Sequence, residues 1–306
     1  MTARVLLPTA LICLAVTTVF GRSASRSIAV DGRARTFVLH VPENLPRDRP
    51  VPLLLVFHGG GGQGLGTERF TRFSPIADRE QFIVAYPDGL NRSWNDGRNA
   101  PGLFGRRDHV DDIAFVTALT DSLTREFSID PKRIFATGIS NGGMFSHYLA
   151  TRLSQRIAAI APVVGGLAED VALAFKVDSP VSVFIIQGTA DPLVPYDGGP
   201  IARQARGRIV STNEAVRRWV ATDGCKSPPR TGYLPDRDPS DGCRVNWFTW
   251  TGGRDTAEVT LYRIEGGGHT WPGGPQYLPQ RFIGNVCRDF DASEVIWDFF
   301  KRHPKP

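Results

Sequence analysis

Arg133-Ile134-Phe135-Ala136-Thr137-Gly138-Ile139-Ser140-Asn141-Gly142-Gly143 decides how the rest of the chain reads. It has the form of a buried strand running into a tight turn with a serine at its tip. In a G-x-S-x-G turn the serine occupies a strained strand-to-helix corner, and Gly138 and Gly142 carry no side chain to clash with the neighbouring backbone. The Ser140 hydroxyl is then expected to stand above the end of a sheet. The five-residue pattern is short enough to arise by chance, so its meaning depends on what surrounds it.

Upstream, Val51 to Phe57 is an unbroken apolar run of strand length, as found in strands buried on both faces of a parallel sheet. It delivers His58-Gly59-Gly60-Gly61-Gly62. Before it, Ser27 to Val30 and Thr36 to Val41 flank the hairpin signal Asp31-Gly32. After it, a helix is expected over Thr67 to Gln81 and a short strand over Phe82 to Ala85. The segment Tyr86 to Gly105 is rich in Gly, Asn, Arg and Pro and reads as a functional surface loop holding Trp94. Asp111 and Asp112 open a helix with Val116, Leu119, Leu123 and Phe127 at helical spacing, and they suit its dipole better than a paired-carboxylate site. The Asp130-Pro131 turn ends that helix.

Downstream, a helix to about Gln155 precedes the strands Ile157 to Val164 and Val181 to Ile186. Ser211 and Glu214 form a capping-box signature. Val245 to Thr249 and Val259 to Ile264 read as strands, and Asp291 and Glu294 open a last helix. Strands alternate with helices almost throughout, which predicts an α/β fold with a mostly parallel central sheet and helices on both faces.

A serine hydroxyl needs a base to take its proton and an acid to orient that base. Asp191, in Gly188-Thr189-Ala190-Asp191-Pro192, and His269, in Gly266-Gly267-Gly268-His269, each follow a predicted strand. Parallel strands end along one edge, so Ser140, Asp191 and His269 can meet there. Asp191 can also be read as the start of an Asp-Pro turn. His58 is the strongest rival base, ahead of His40, His109, His147 and His303, and its position before the glycine run suits an oxyanion loop better. Gly59 or Gly60 and the backbone N–H of Asn141 are the expected oxyanion donors. Trp94 and Trp271 fall in loops at the catalytic edge, where substrate contact and core packing are both open readings.

At 306 residues and 41% hydrophobic the chain can bury a large core. Its formal charge of +5 is spread along the sequence without a basic run, so no nucleic-acid partner is expected. Residues 1–25 read as a signal peptide: Arg4 gives the charge, Val5 to Phe20 the apolar region, and Gly21 to Ser25 the small residues. The apolar run is too short for a spanning helix and contains Pro8. Residues 26–306 are then a single, exported catalytic domain, with no membrane contact in the mature form and no obligate protein partner. Export permits a disulfide among Cys225, Cys243 and Cys287, and Cys225 with Cys243 would staple the loop Lys226 to Gly242. No cysteine or histidine spacing suggests a metal.

His58-Gly59-Gly60-Gly61-Gly62, Tyr86-Pro87-Asp88-Gly89, Val110-Asp111-Asp112-Ile113-Ala114-Phe115, the Ser140 turn, Gly188 to Tyr196 and Gly266-Gly267-Gly268-His269-Thr270-Trp271-Pro272-Gly273 together resemble the secreted polyhydroxybutyrate depolymerase and feruloyl esterase family of α/β-hydrolases. The resemblance runs from about residue 27 to the C-terminus. It implies a cofactor-free serine esterase with Ser140 as nucleophile, His269 as base then acid and Asp191 as orienting acid. It also implies Trp94 and Trp271 near the substrate. The family's cysteine pattern is not reproduced here. The expected substrates are hydroxyalkanoate oligomers or polyester, or feruloyl and acetyl esters of polysaccharides. A serine peptidase of related fold and a non-catalytic glycan- or polymer-binding protein are the alternatives.

Overall fold

The computed structural model describes residues 21–98, 110–201 and 206–306. Ten strands form one sheet: β1 (Arg22–Val30), β2 (Arg33–Val41), β3 (Val51–Phe57), β4 (Ile83–Pro87), β5 (Ile129–Ile139), β6 (Ala159–Val163), β7 (Ser182–Gly188), β8 (Arg230–Tyr233), β9 (Arg244–Trp250) and β10 (Val259–Glu265). Their spatial order is β1-β2-β4-β3-β5-β6-β7-β10-β9-β8. The six central strands, β4 to β10 in that order, are parallel, and antiparallel strands extend both edges. The α/β fold with a mostly parallel sheet is therefore as the sequence predicts.

All of β3 is buried because both its faces are covered. Leu53, Leu55 and Phe57 face a core built with α3 (Asp112–Glu126), α4 (Asn141–Arg152) and α5 (Thr212–Asp223). Leu54 and Val56 alternate into a second core with α2 (Phe73–Glu80) and α6 (Ala292–Lys301). Asp111, Ser211 and Asp291 cap α3, α5 and α6 with side-chain oxygens, as their sequence signatures require.

The structure departs from the sequence reading at four points. The helix expected over Thr67 to Gln81 is two helices, α1 (Gly64–Thr71) and α2, because Arg72 adopts left-handed backbone at φ 57°. Asp130-Pro131, read as the turn that ends the helix before it, lies inside β5, where the pairing with β3 shifts register between Val51 and Leu53, and α3 stops earlier, at Glu126. β8 was not foreseen, since this largely exposed edge strand has no apolar alternation. Arg22 to Ser25, read as the end of a leader, pair with Val41 to Val38 in β1. That edge strand is solvated, so its residues carry no core pattern to mark them as strand. Residues 1–20 of the expected leader lie outside the described residues. Among the described residues no helix is long and apolar enough to cross a membrane.

From β3 the chain passes to β4 on one side and then back to β5 on the other. Such a reversal opens a crevice at the C-terminal ends of the strands. His58 leaves β3 and Ser140 leaves β5 at that point.

Candidate active site

Ser140 sits at φ 57° and ψ −120°, between the end of β5 and the first turn of α4. A side chain cannot hold that conformation cheaply, so the surroundings must fix it. They do so through close backbone approach: a Cβ on Gly138 would come within 2.6 Å of the Phe57 carbonyl oxygen, and one on Gly142 would fall on the same oxygen. The Ser140 N–H donates to Val163 O at 2.9 Å, and its carbonyl accepts from Met144 N at 2.9 Å. Ser140 thus joins strand to helix with its side chain facing a cavity of about 600 Å³.

His269 lines the same cavity. Its Nδ1 lies 2.7 Å from Asp191 Oδ2, and both side chains are buried. A carboxylate accepts only, so the proton of a neutral imidazole rests on Nδ1 and leaves Nε2 as an acceptor. Asp191 is held in turn: its Oδ1 accepts from Leu193 N and Val194 N, each at 2.8 Å. Gln187, in β7, donates to Asp191 Oδ2 at 3.4 Å and to Val194 O at 3.0 Å. The His269 backbone is pinned as well, its N–H donating to Ile283 O and its carbonyl accepting from the Tyr277 hydroxyl at 2.9 Å. Burial, with the charge of Asp191, pushes the Tyr277 hydroxyl up to about 12, so it remains a donor at neutral pH.

Gly59, Gly60 and Asn141 line the cavity beside Ser140. Asn141 is the first residue of α4, where backbone N–H groups have no partner within the helix. Its side chain has a separate task that the sequence did not reveal. Asn141 Oδ1 accepts from Trp94 N at 2.8 Å and Ser93 Oγ at 3.2 Å, while Nδ2 donates to Asp96 Oδ2 at 2.6 Å. Asp96 in turn binds Arg98 through both carboxylate oxygens, and both side chains are buried. The 93–98 loop is thereby fastened to the turn that carries Ser140.

Several expected site residues have other work. Trp94 and Trp271 do not line the cavity; each is almost wholly buried. Trp94 packs between Phe57 and Phe145 and donates from Nε1 to His58 O at 3.0 Å. Trp271 packs on Phe73 and donates to Ser293 Oγ at 3.1 Å. Packing, the second of the two open readings, is what the structure gives them. The aromatic wall of the cavity is formed by Phe70 and Tyr277, in edge contact at 5.6 Å, and the aliphatic wall by Met144, Leu193 and Ile201. These come from scattered loops and no motif marks them.

His58 uses both ring nitrogens on backbone: Nε2 accepts from Gly89 N at 2.9 Å and Nδ1 donates to Gly59 O at 2.8 Å. Burial lowers its pKa and keeps it neutral. His40 is bonded to Asp78, His147 accepts from Trp219 Nε1, and His303 meets Phe299 O. His109 lies outside the described residues. Asp111 caps α3, but Asp112 is buried against Arg35 at 2.6 Å and accepts from Asn95 N at 2.7 Å, so it anchors the loop rather than facing water.

The Cys225–Cys243 pairing is not formed. Cys225 lies by Ala257 O, and burial pushes its thiol up to about 11. Cys243 lies instead beside Cys287, and hydrogen bonding with that thiol together with burial disfavours its ionisation. Adjacency across a Pro-rich loop misled the pairing, because Cys243, just before β9, is placed beside Cys287 in the segment after His269.

Comparison with known proteins agrees with this geometry. The family model described as Phospholipase/Carboxylesterase matches residues 44–217. "Putative esterase NocK" of Nocardia uniformis subsp. tsuyamanensis is 31% identical over 90% of this chain and 82% of its own length. Feruloyl esterase B of Piromyces equi is 28% identical over 77% of this chain, which spans only 42% of that relative's length. Among solved structures, an acetyl xylan esterase from Aspergillus awamori shares the fold with a TM-score of 0.58 at 16% identity, covering 81% of this chain and 94% of that one. The chain therefore belongs to the phospholipase/carboxylesterase family and is a carboxylic ester hydrolase of the feruloyl esterase-like α/β-hydrolases.

Proposed function

We propose that the protein hydrolyses its esters through an acyl-enzyme formed on Ser140. The observation that carries this reading is the 2.7 Å contact between Asp191 and Nδ1 of His269, a histidine that lines the same cavity as Ser140 and has Nε2 left to accept a proton. His269 takes the Ser140 proton as the hydroxyl oxygen bonds to the ester carbonyl carbon. The resulting oxyanion is held by backbone N–H groups of Asn141 and of Gly59 or Gly60. Collapse expels the alcohol, which leaves with the proton from His269. Water, deprotonated by the same histidine, then attacks the acyl carbonyl and releases the acid.

A lining that combines Phe70 and Tyr277 with Met144, Leu193 and Ile201 suits an aryl or short acyl group. Feruloyl and acetyl esters of polysaccharides and hydroxyalkanoate oligomers are accordingly the substrate classes we propose. Export follows from the apolar N-terminal stretch Val5 to Phe20, with one catalytic domain after it, acting on small-molecule, oligomer or polysaccharide-linked esters without a nucleic-acid, membrane or obligate protein partner. The test is hydrolysis of p-nitrophenyl butyrate together with labelling by a fluorophosphonate. Wild type should turn over and gain the phosphonate mass on Ser140. Labelling elsewhere, or full activity in Ser140→Ala, would sink the assignment. Side-by-side rates on methyl ferulate, acetylated xylan and 3-hydroxybutyrate oligomers then rank the substrates.

A further inference from the structure

The described residues lining the cavity above Ser140 carry charge of one sign only. Among its described lining residues are three arginines, Arg92, Arg98 and Arg206, and no aspartate or glutamate. The three are not equivalent. Arg98 is buried and its guanidinium is taken up by Asp96, through contacts of 2.9 and 2.6 Å, and by Arg206 O at 2.6 Å. That ion pair is internally neutral. Arg92 and Arg206 are exposed at the rim, and neither makes an ion pair among the described residues. Asp88, on the same loop as Arg92, is already engaged by Gly64 N at 2.7 Å and the Thr36 hydroxyl at 2.7 Å. Asp191 is turned away from the cavity towards His269, Leu193 and Val194.

The backbone places both rim arginines firmly. Arg92 O accepts from Gly61 N at 2.8 Å, which ties it to the glycine loop beside Ser140. Arg206 is held through its carbonyl by Arg98, and so by the Asp96–Asn141 chain that ends at the nucleophile turn. Two guanidinium groups are thus carried on loops tied to the catalytic backbone, at an opening with apolar walls. A concave, low-dielectric site lined by one sign of charge concentrates ligands of the other sign. Arginine presents paired donors that match a carboxylate.

Resting on the esterase reading above, we propose that the preferred substrates carry a carboxylate in addition to the scissile ester, placed to reach Arg92 or Arg206 at the cavity rim. The carboxylate can belong to the acyl part or to the alcohol part, and two substrate pairs separate these. Mono-p-nitrophenyl adipate against p-nitrophenyl hexanoate places the charge on the acyl side. Meta-carboxyphenyl butyrate against phenyl butyrate places it on the alcohol side.

The quantity read is the ratio of kcat/KM for the anionic ester to that for its neutral partner, with spontaneous hydrolysis subtracted. At low ionic strength one of the two ratios should reach about tenfold and fall towards one as salt is raised, since exposed charges are screened over about 10 Å at 0.1 M. Arg92→Gln, Arg206→Gln or the double substitution should lower that ratio through KM, and the matching lysine variants should restore part of it. Neutral esters turned over as fast as anionic ones by the wild type would overturn the proposal. So would a ratio unchanged by the double substitution in protein that still hydrolyses the neutral ester. Turnover of neither ester breaks the esterase reading itself, and this inference falls with it.

Discussion

His58 and His269 are alike in sequence and opposite in chemistry. Each follows the C-terminal end of a parallel strand, each adjoins a run of glycines, each is buried, and each lines the same cavity. His58 spends Nδ1 on Gly59 O and Nε2 on Gly89 N, so it has no nitrogen left to accept a proton from substrate or serine. His269 spends only Nδ1, and on a carboxylate rather than a carbonyl. In the proposed mechanism a base is therefore made by what stands behind the imidazole, and the same motif with backbone partners braces the glycine loop.

The largest effect expected from breaking this contrast is on turnover. His269→Gln should lower kcat by about 10⁴-fold or more with little change in Tm, and Asp191→Asn by about 10³- to 10⁴-fold by favouring the wrong imidazole tautomer. Steady-state kinetics on p-nitrophenyl butyrate, beside a thermal melt, separates loss of chemistry from loss of fold. If His58→Ala were as damaging to kcat as His269→Gln, the distinction between base and brace would be wrong.

Asn141→Ala tests the support that both loops share. It leaves Trp94 N without its acceptor and removes one donor from Asp96, which keeps Arg98, and leaving a buried polar group unsatisfied costs about 1–3 kcal/mol. A loss of roughly 10- to 100-fold in kcat through misplacement of the oxyanion donors is expected alongside it. His58→Ala should be milder in turnover, by about tenfold or less, while lowering stability by about 1–3 kcal/mol through the orphaned Gly89 N–H. Chemical denaturation of each variant measures the stability part.

The smallest effect is in pH dependence, and it belongs to two buried histidines, His58 and His147. Burial lowers the pKa of His58, and that of His147 to about 3. As pH falls below about 6.5, the unfolded chain takes up protons that these folded side chains refuse, so stability declines from there towards pH 3. Burial also pushes Asp223 up to about 7, which works in the opposite sense, lowering stability as pH rises from 3.8 towards 7. The difference between wild type and His147→Gln, whose carboxamide can still accept the Trp219 N–H, isolates the histidine part. A denaturant midpoint that falls equally in both proteins between pH 6.5 and 4 would contradict it.

Much of this was legible before any coordinates. The apolar run Val51 to Phe57 has the length and composition of a strand covered on both faces, and the caps Asp111, Ser211 and Asp291 carry their own hydrogen-bond signatures. Glycine at 138 and 142 reports a backbone too crowded for any side chain, which is a local property and so is written locally. Ser140, Asp191 and His269 could be named because parallel strands bring their ends to one edge whatever the details of packing.

What the tertiary structure alone decided is where each side chain spends its polar atoms. Trp94 and Trp271 sit in loops at the right edge, yet their indoles turn inward because Phe57, Phe145 and Phe73 offer aromatic surface there. Cys243 meets Cys287 rather than Cys225, a neighbour that loop length in the sequence does not reveal. The Asn141–Asp96–Arg98 chain and the two rim arginines, which make no ion pair among the described residues, join residues that no periodicity relates. Sequence pattern encodes contacts within an element and the order of elements; partnership across loops depends on distances that exist only once the sheet has formed.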